Sequence, residues 1–331
     1  MLTGLTLIAT SAGRGVRIAR RGETDWSIET VLPSQDVRCL AADPLDPAHW
    51  YAGTQGNGIF ESMDSGATWA QAGLQGMIVK SLALAPDAIY AGTKPPRVYA
   101  SKDGGRSWPE RENFRRIPGR RLWWSPAEAP GTAYVQSLAV SPSEPNMNLA
   151  GIEFGAVIRS EDGGETWSRH LKGTLRDCHT MKFHHSVGDW AYEAGGSGGG
   201  ASVSRDGGAT WTKVKEGLDR HYAVACAADP EEPHLWYISV SRGPGKAHSL
   251  GNAEAHIFRK HGGEPWVKLE NGLPQPLHSM PYGLATIPGR SGLVIGALKN
   301  GQVWASEDRG DSWNRLPIEL GPIGLGLLAL G

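Results

Sequence analysis

The sequence predicts an all-β fold, a seven-bladed β-propeller whose first blade is closed by the C-terminal strand. Three observations predict it. One eight-residue phrase recurs: SMDSGATW at 62–69, SKDGGRSW at 101–108, SEDGGETW at 160–167, SRDGGATW at 204–211 and SEDRGDSW at 306–313. Two weaker copies, RRGETDW ending at Trp26 and RKHGGEPW ending at Trp266, bring the series to seven. Successive Trp residues then lie 43, 39, 59, 44, 55 and 47 positions apart, the spacing of four-stranded blades. The 331 residues also include 45 Gly and 22 Pro, and no stretch sustains a helical apolar period, a pattern of short strands joined by turns.

Within the phrase, Asp64, Asp103, Asp162, Asp206 and Asp308 follow a strand end and can accept hydrogen bonds from turn amides. Glycine at one or both of the next two positions supplies backbone angles that other residues resist. The Ser or Thr before Trp can bond the same turn. Trp69, Trp108, Trp167, Trp211 and Trp313 then open the following strand with a large apolar face to bury against a neighbouring unit. The phrase therefore reads as a hairpin turn and a structural staple.

Upstream of most copies come a strand such as VKSLALAP, a second such as AIYAGT and a third such as RVYAS. Each unit is thus strand A, strand B, strand C, the Asp turn and strand D. The first unit begins at GLTLIATS, a B strand, and lacks an A strand; the end of NRLPIELGPIGLGLLALG can supply one and close the ring. Closure leaves no open sheet edge. The single domain 1–331 divides into blade 1 from 1–33 plus 321–331 and blades 2–7 at about 34–75, 76–114, 133–173, 175–218, 220–272 and 278–319.

A formal net charge of −1 offers no field that would concentrate a polyanion or a membrane surface, so nucleic acid is not an expected partner. No segment approaches the roughly 20 apolar residues of a membrane span. Cys39, Cys178 and Cys226 are odd in number, sit in apolar runs and lack CxxC spacing; neither a disulfide framework nor a zinc site is indicated, and a reducing, cytoplasmic setting is expected. Met1 to Ala12 has no basic start and only a short apolar run, which reads as a strand and not a signal peptide. No cofactor is expected.

The phrase S-x-D-x-G-x-[ST]-W resembles the Asp-box, or BNR, repeat of sialidases, sortilin-type receptors, xyloglucan-cleaving glycosidases and photosystem II assembly factor propellers. The chain is also similar to bacterial proteins labelled glycosyl hydrolase on these repeats. The resemblance covers nearly the whole chain and implies the propeller. For function it implies enzymes, receptors and assembly factors alike, because fold does not carry chemistry. FRRIP at Phe114 to Pro118 is similar to the FRIP signature of sialidases, but it has an inserted Arg, follows the third turn instead of preceding the first, and belongs to a ring of seven blades where sialidases have six.

In such a ring the Asp turns open on one face, while the D-to-A connections and B-to-C turns open on the other. Strands A line the channel. Aligned from residues 36, 78, 134, 177, 222 and 280, their third positions read Arg38, Lys80, Gln136, His179, Val224 and Tyr282, and their fifth read Leu40, Leu82, Leu138, Met181, Cys226 and Leu284. A polar ring above an apolar one is what a ligand-filled channel mouth requires; Arg38, Lys80 and His179 suit a carboxylate, phosphate or sulfate group, and a channel that is merely wet would tolerate the same residues. The long 109–132 connection adds Arg121, Trp123 and Trp124, which can stack on a sugar or simply cap the propeller. The B-to-C turns AGGSGGGA from 194 and SRGPGKAHSLGNAEA from 241 are flexible by composition.

Glycoside hydrolysis needs two carboxyl groups flanking the bond. Glu153 and Glu193 leave the B strands of blades 4 and 5, and Asp177 enters the A strand between them, making these three the expected acid/base set. No metal site is expected: His179, His221 and His278 near successive A-strand entrances are the one combination of imidazoles the spacing offers, but His221 and His278 precede the aligned strand by one and two residues, so their heights differ. The sequence therefore supports recognition of a polar ligand, anionic or carbohydrate, at the channel mouth. A glycoside hydrolase on the same face and a protein scaffold stand as the alternatives.

Overall fold

In the computed structural model, which describes residues 2–196 and 199–331, the five full copies of the phrase fold alike. Ser62 Oγ donates to Asp64 Oδ1 and accepts the Gly66 amide, both at 2.8 Å. Asp64 accepts the Thr68 amide at 2.8 Å and hydroxyl at 2.6 Å, and Trp69 Nε1 donates to the Gly66 carbonyl at 3.0 Å. The same set recurs around Asp103, Asp162, Asp206 and Asp308. These donors favour the ionised carboxylate, holding Asp64 and Asp103 down at about 2. In the degraded sixth copy the staple survives without the Asp: Trp266 Nε1 donates to the Val214 carbonyl of the preceding blade at 3.0 Å.

Seven antiparallel sheets form the ring. Blade 2, for example, runs Val37–Ala42, Trp50–Thr54, Ile59–Ser62 and Ala70–Gly73 from the channel outward. The last strand, Ile323–Leu330, pairs with Thr6–Ser11, Ile8 lying opposite Leu328, and is the A strand of blade 1. Two blades depart from the expected four strands: blades 3 and 4 have three-stranded sheets. After Trp108, Pro109 has no amide to donate, so only a bridge between Tyr99 and Glu110 remains before the chain departs. After Trp167, Ser168 Oγ and His170 Nδ1 accept the Arg159 and Val157 amides in place of backbone carbonyls.

The core lies between blades. A β-carbon added at Gly53, Gly92 or Gly151 of the B strands would collide with Val79, Val135 or Cys178 of the next blade's A strand, so the recurring Ala-Gly of those strands records a close inter-blade approach. Cys39, Cys178 and Cys226 are free and buried in this packing. Among the described residues no helix is long and apolar enough to cross a membrane.

Candidate functional site at the channel mouth

The aligned third position of the A strands is where each strand bulges. Pairing skips Arg38, Lys80, Gln136, His179 and Tyr282, and the sixth blade shifts register across Val224 and Ala225. A bulge leaves one residue unpaired and re-aims it. All five polar residues line the central channel, together with Leu40, Leu82, Leu138, Met181, Cys226 and Leu284.

The cationic side of the mouth carries its own counter-charge. Glu128, from the 109–132 connection, sets Oε1 2.6 Å from Lys80 Nζ and 3.2 Å from Arg38 Nη1, and Oε2 3.5 Å from Lys94 Nζ. The Tyr134 ring lies beneath both ammonium groups, 4.7 Å from Lys80 and 5.7 Å from Lys94. Burial pulls the Lys80 pKa down against the opposing pull of Glu128. Burial alone would raise Glu128, but the bond and charge of Lys80, with Arg38 and Lys94 behind, outweigh it and hold the carboxyl below its usual range. The ring read as an open anion site thus already holds a carboxylate of the same chain.

Toward blades 4 to 6 the mouth opens into a cavity of about 440 Å³ whose lining includes Tyr134, Gln136, Glu153, Asp177, His179 and Tyr222. Burial, and behind it the Asp177 charge, push Glu153 up to about 8. His179 is fixed by Nδ1, 2.6 Å from the Ala223 carbonyl, and its ring lies 4.9 Å from that of Tyr222. His248, on the insertion after residue 241, bridges Tyr222 and Tyr282: its Nε2 is 2.9 Å from the Tyr222 hydroxyl and its Nδ1 2.7 Å from the Tyr282 hydroxyl. Burial lowers His248 to about 4, with the nearby Lys299 charge acting the same way, so a neutral imidazole donates to one tyrosine and accepts from the other.

Other expected residues do not join this cavity. Glu193 is fully buried inside blade 5, where it accepts the Leu175 amide at 3.1 and 3.0 Å and the Ser202 hydroxyl. It anchors the approach to Asp177 and does not face the ligand space. His221 and His278 are exposed and do not gather with His179; among the described residues the side chains that do bring ligand-type atoms within 4.8 Å of one another are Glu153, Asp177 and His179. Arg121 and Trp124 are exposed, whereas Trp123 packs on Phe114, itself wedged against Trp167. FRRIP is therefore a cap: Phe114 is buried, and Arg115 pairs with Glu110. Ser197 and Gly198 of the glycine run lie outside the described residues.

Glu193 gives a test of this placement. Burial pushes it up to about 7, against the bonds from Ser202 and Leu175. From about 4.5, where an unfolded glutamate ionises, to about 7 the folded state holds the extra proton, so stability falls as pH rises through that window and is flat above it. Glu193→Gln is expected to flatten the pH dependence of urea unfolding and to raise stability at pH 8 by up to about 3 kcal/mol. An unchanged pH profile would place Glu193 in water.

Glu128, Tyr222 and His248 were not singled out from the sequence. Glu128 is the one acid in SPAEAPGT, and His248 the one imidazole in the 241–255 insertion; length of connection was the available signal in both cases.

No protein-family model and no curated protein matches the chain. Solved structures do. A GH74 xyloglucanase from Xanthomonas campestris aligns with TM-score 0.62 at 18% identity, over 94% of this chain and 47% of that one. YCF48 from Cyanidioschyzon merolae aligns with TM-score 0.59 at 16% identity, over 87% and 86%, and YCF48 bound to a D1 peptide with TM-score 0.58 at 18%, over 84% and 80%. The chain thus spans about half the length of that xyloglucanase and most of the length of YCF48. At these identities the likeness establishes the seven-bladed fold alone.

Proposed function

We propose that the protein recognises a polyhydroxylated, saccharide-like ligand in the cavity of blades 4 to 6, on a propeller of the Asp-box (BNR) type. The observation that carries this reading is the cavity itself: about 440 Å³, walled largely by aromatic and apolar groups, with Gln136, Glu153, Asp177 and His179 converging on it, the composition of small-ligand sites. The hydrogen-bonded turns, five alike, support the Asp-box assignment. Because Glu128 already sits against Lys80, Arg38 and Lys94, and Asp36 pairs with Arg38, the positions an anion would take are filled by two carboxylates of the same chain, and a neutral sugar suits the mouth better than an anionic one.

Mass spectrometry of the protein with pooled neutral, uronic-acid and sialylated oligosaccharides tests this reading. Retention of a neutral member is expected, weakened about tenfold by Gln136→Ala and unaffected by Arg38→Gln. Selective retention of sialylated members, or indifference to Gln136→Ala, would reject the reading.

A second reading, a glycoside hydrolase, is favoured by one observation. Glu153 and Asp177 each bring a carboxylate oxygen to the same spot, no more than 4.8 Å apart, and both line the cavity, which supplies the two carboxyl groups that glycoside hydrolysis needs. Here Glu153→Gln would abolish consumption of the bound member while keeping retention. A scaffold is favoured by exposed Leu122, Trp124 and Phe154 on the same face, Trp124 and Phe154 having ring centroids 6.0 Å apart, and by the peptide seen on YCF48. It would neither retain nor consume any saccharide.

A further inference from the structure

Glu153 directly follows the B strand of blade 4, Asn148–Ile152, while Asp177 directly precedes and His179 lies within the A strand of blade 5, Cys178–Phe183. One donor atom from each lies within 4.8 Å of the others, and all three residues are buried. Two further features distinguish the group from a chance gathering of acids.

The first is the orientation of the imidazole. A carbonyl only accepts, so the 2.6 Å approach of His179 Nδ1 to the Ala223 oxygen places a proton on Nδ1, and in the neutral ring it is Nε2 that carries the lone pair. Metal-bound histidines are held this way by a backbone carbonyl. Nε2 faces Asp177 Oδ1 at 3.6 Å, beyond hydrogen-bond reach but close to the roughly 3.4 Å between two ligands of a tetrahedral ion with bonds of about 2.1 Å.

The second is Glu153. Its side chain lines the cavity and the residue is 5% exposed, yet the carboxyl makes no hydrogen bond or ion pair among the described residues. Buried carboxyl groups are ordinarily hydrogen-bonded, paired or bound to a metal. The backbone around the group is also fitted to it: a β-carbon at Gly196 would collide with both Asp177 and Tyr222.

We infer that Glu153, Asp177 and His179 Nε2 together ligate one divalent first-row transition ion, with its remaining positions open to the cavity. Two carboxylates with an imidazole suit zinc, manganese or iron better than magnesium or calcium, which favour all-oxygen sites. The inference stands on this geometry and not on the saccharide reading, and its test needs no saccharide.

The full chain, stripped with chelator, is titrated with Zn²⁺ and with Mn²⁺ by calorimetry, and Mn²⁺ binding is followed in parallel by water-proton relaxation. One ion per chain is expected, with enhanced relaxation from water at the open positions. Glu153→Gln and His179→Gln, checked for folding by circular dichroism, are each expected to weaken binding about tenfold or more, while His221→Gln and His278→Gln leave it unchanged. Absence of a stoichiometric ion on the unaltered protein overturns the inference whatever the variants do. Binding that survives the first pair of substitutions but is lost with the second overturns it as well, since the ion would then sit on surface histidines.

Discussion

Replacing Trp313 by alanine is expected to cost about 3–5 kcal/mol of folding stability, the range for truncating a buried tryptophan. The side chain is 2% exposed, in the largest apolar cluster, with Leu269 and Leu316 among the members of that cluster. Its Nε1 donates to the Gly310 carbonyl at 3.1 Å, so truncation also leaves that buried acceptor without its donor. Trp69 makes the equivalent bond at 3.0 Å but is only half-buried, and Trp69→Ala should therefore cost distinctly less. Urea unfolding of the two variants decides the point. Equal losses would mean that the turn bond, common to both, outweighs the inter-blade packing that differs between them.

Replacing Glu128 by alanine is expected to uncover an anion site, at a cost of about 3 kcal/mol, the lower end for breaking a buried pair because Glu128 retains some contact with water. Lys80 and Lys94, whose side chains are 6% and 4% exposed, would lose the carboxylate they share. Burial already depresses Lys80 against the pull of Glu128. Removing that pull depresses it further, so protonating Lys80 becomes the cost, and the variant should regain stability as pH rises toward the ordinary lysine value of 10.5. Sulfate or phosphate should restore part of the loss at neutral pH and do little for the unaltered protein. A variant as stable as the parent and indifferent to both anions would mean that Glu128 is not seated against the lysines.

The cationic character of Arg38 and Lys80 was legible from strand alignment, because equivalent positions of repeated strands must point into one channel. What the alignment did not reveal is the bulge at that position. It depends on pairing with the neighbouring strand, as at Arg38 between Val37 opposite Thr54 and Cys39 opposite Gly53. Glu193 failed in the opposite way: its strand was correctly read, but the fate of its carboxyl was set by the Leu175 amide and the Ser202 hydroxyl. Among the expected acids, Glu153 and Asp177 meet because a turn of one blade and a strand entrance of the next share the same rim.

What the sequence determined by itself is the repeated unit, its number and the closing of the ring. The Asp turn is built from bonds spanning no more than four residues, as from Ser62 to Gly66 and Asp64 to Thr68, and the pairing of GLTLIATS with the last strand follows from one missing element. Tertiary structure alone decided the chemistry of the mouth. Lys80 meets Glu128 across 48 positions and Tyr282 meets His248 across 34, through connections whose paths no local periodicity encodes. The charge and protonation of each group there depend on which distant neighbour removes its water.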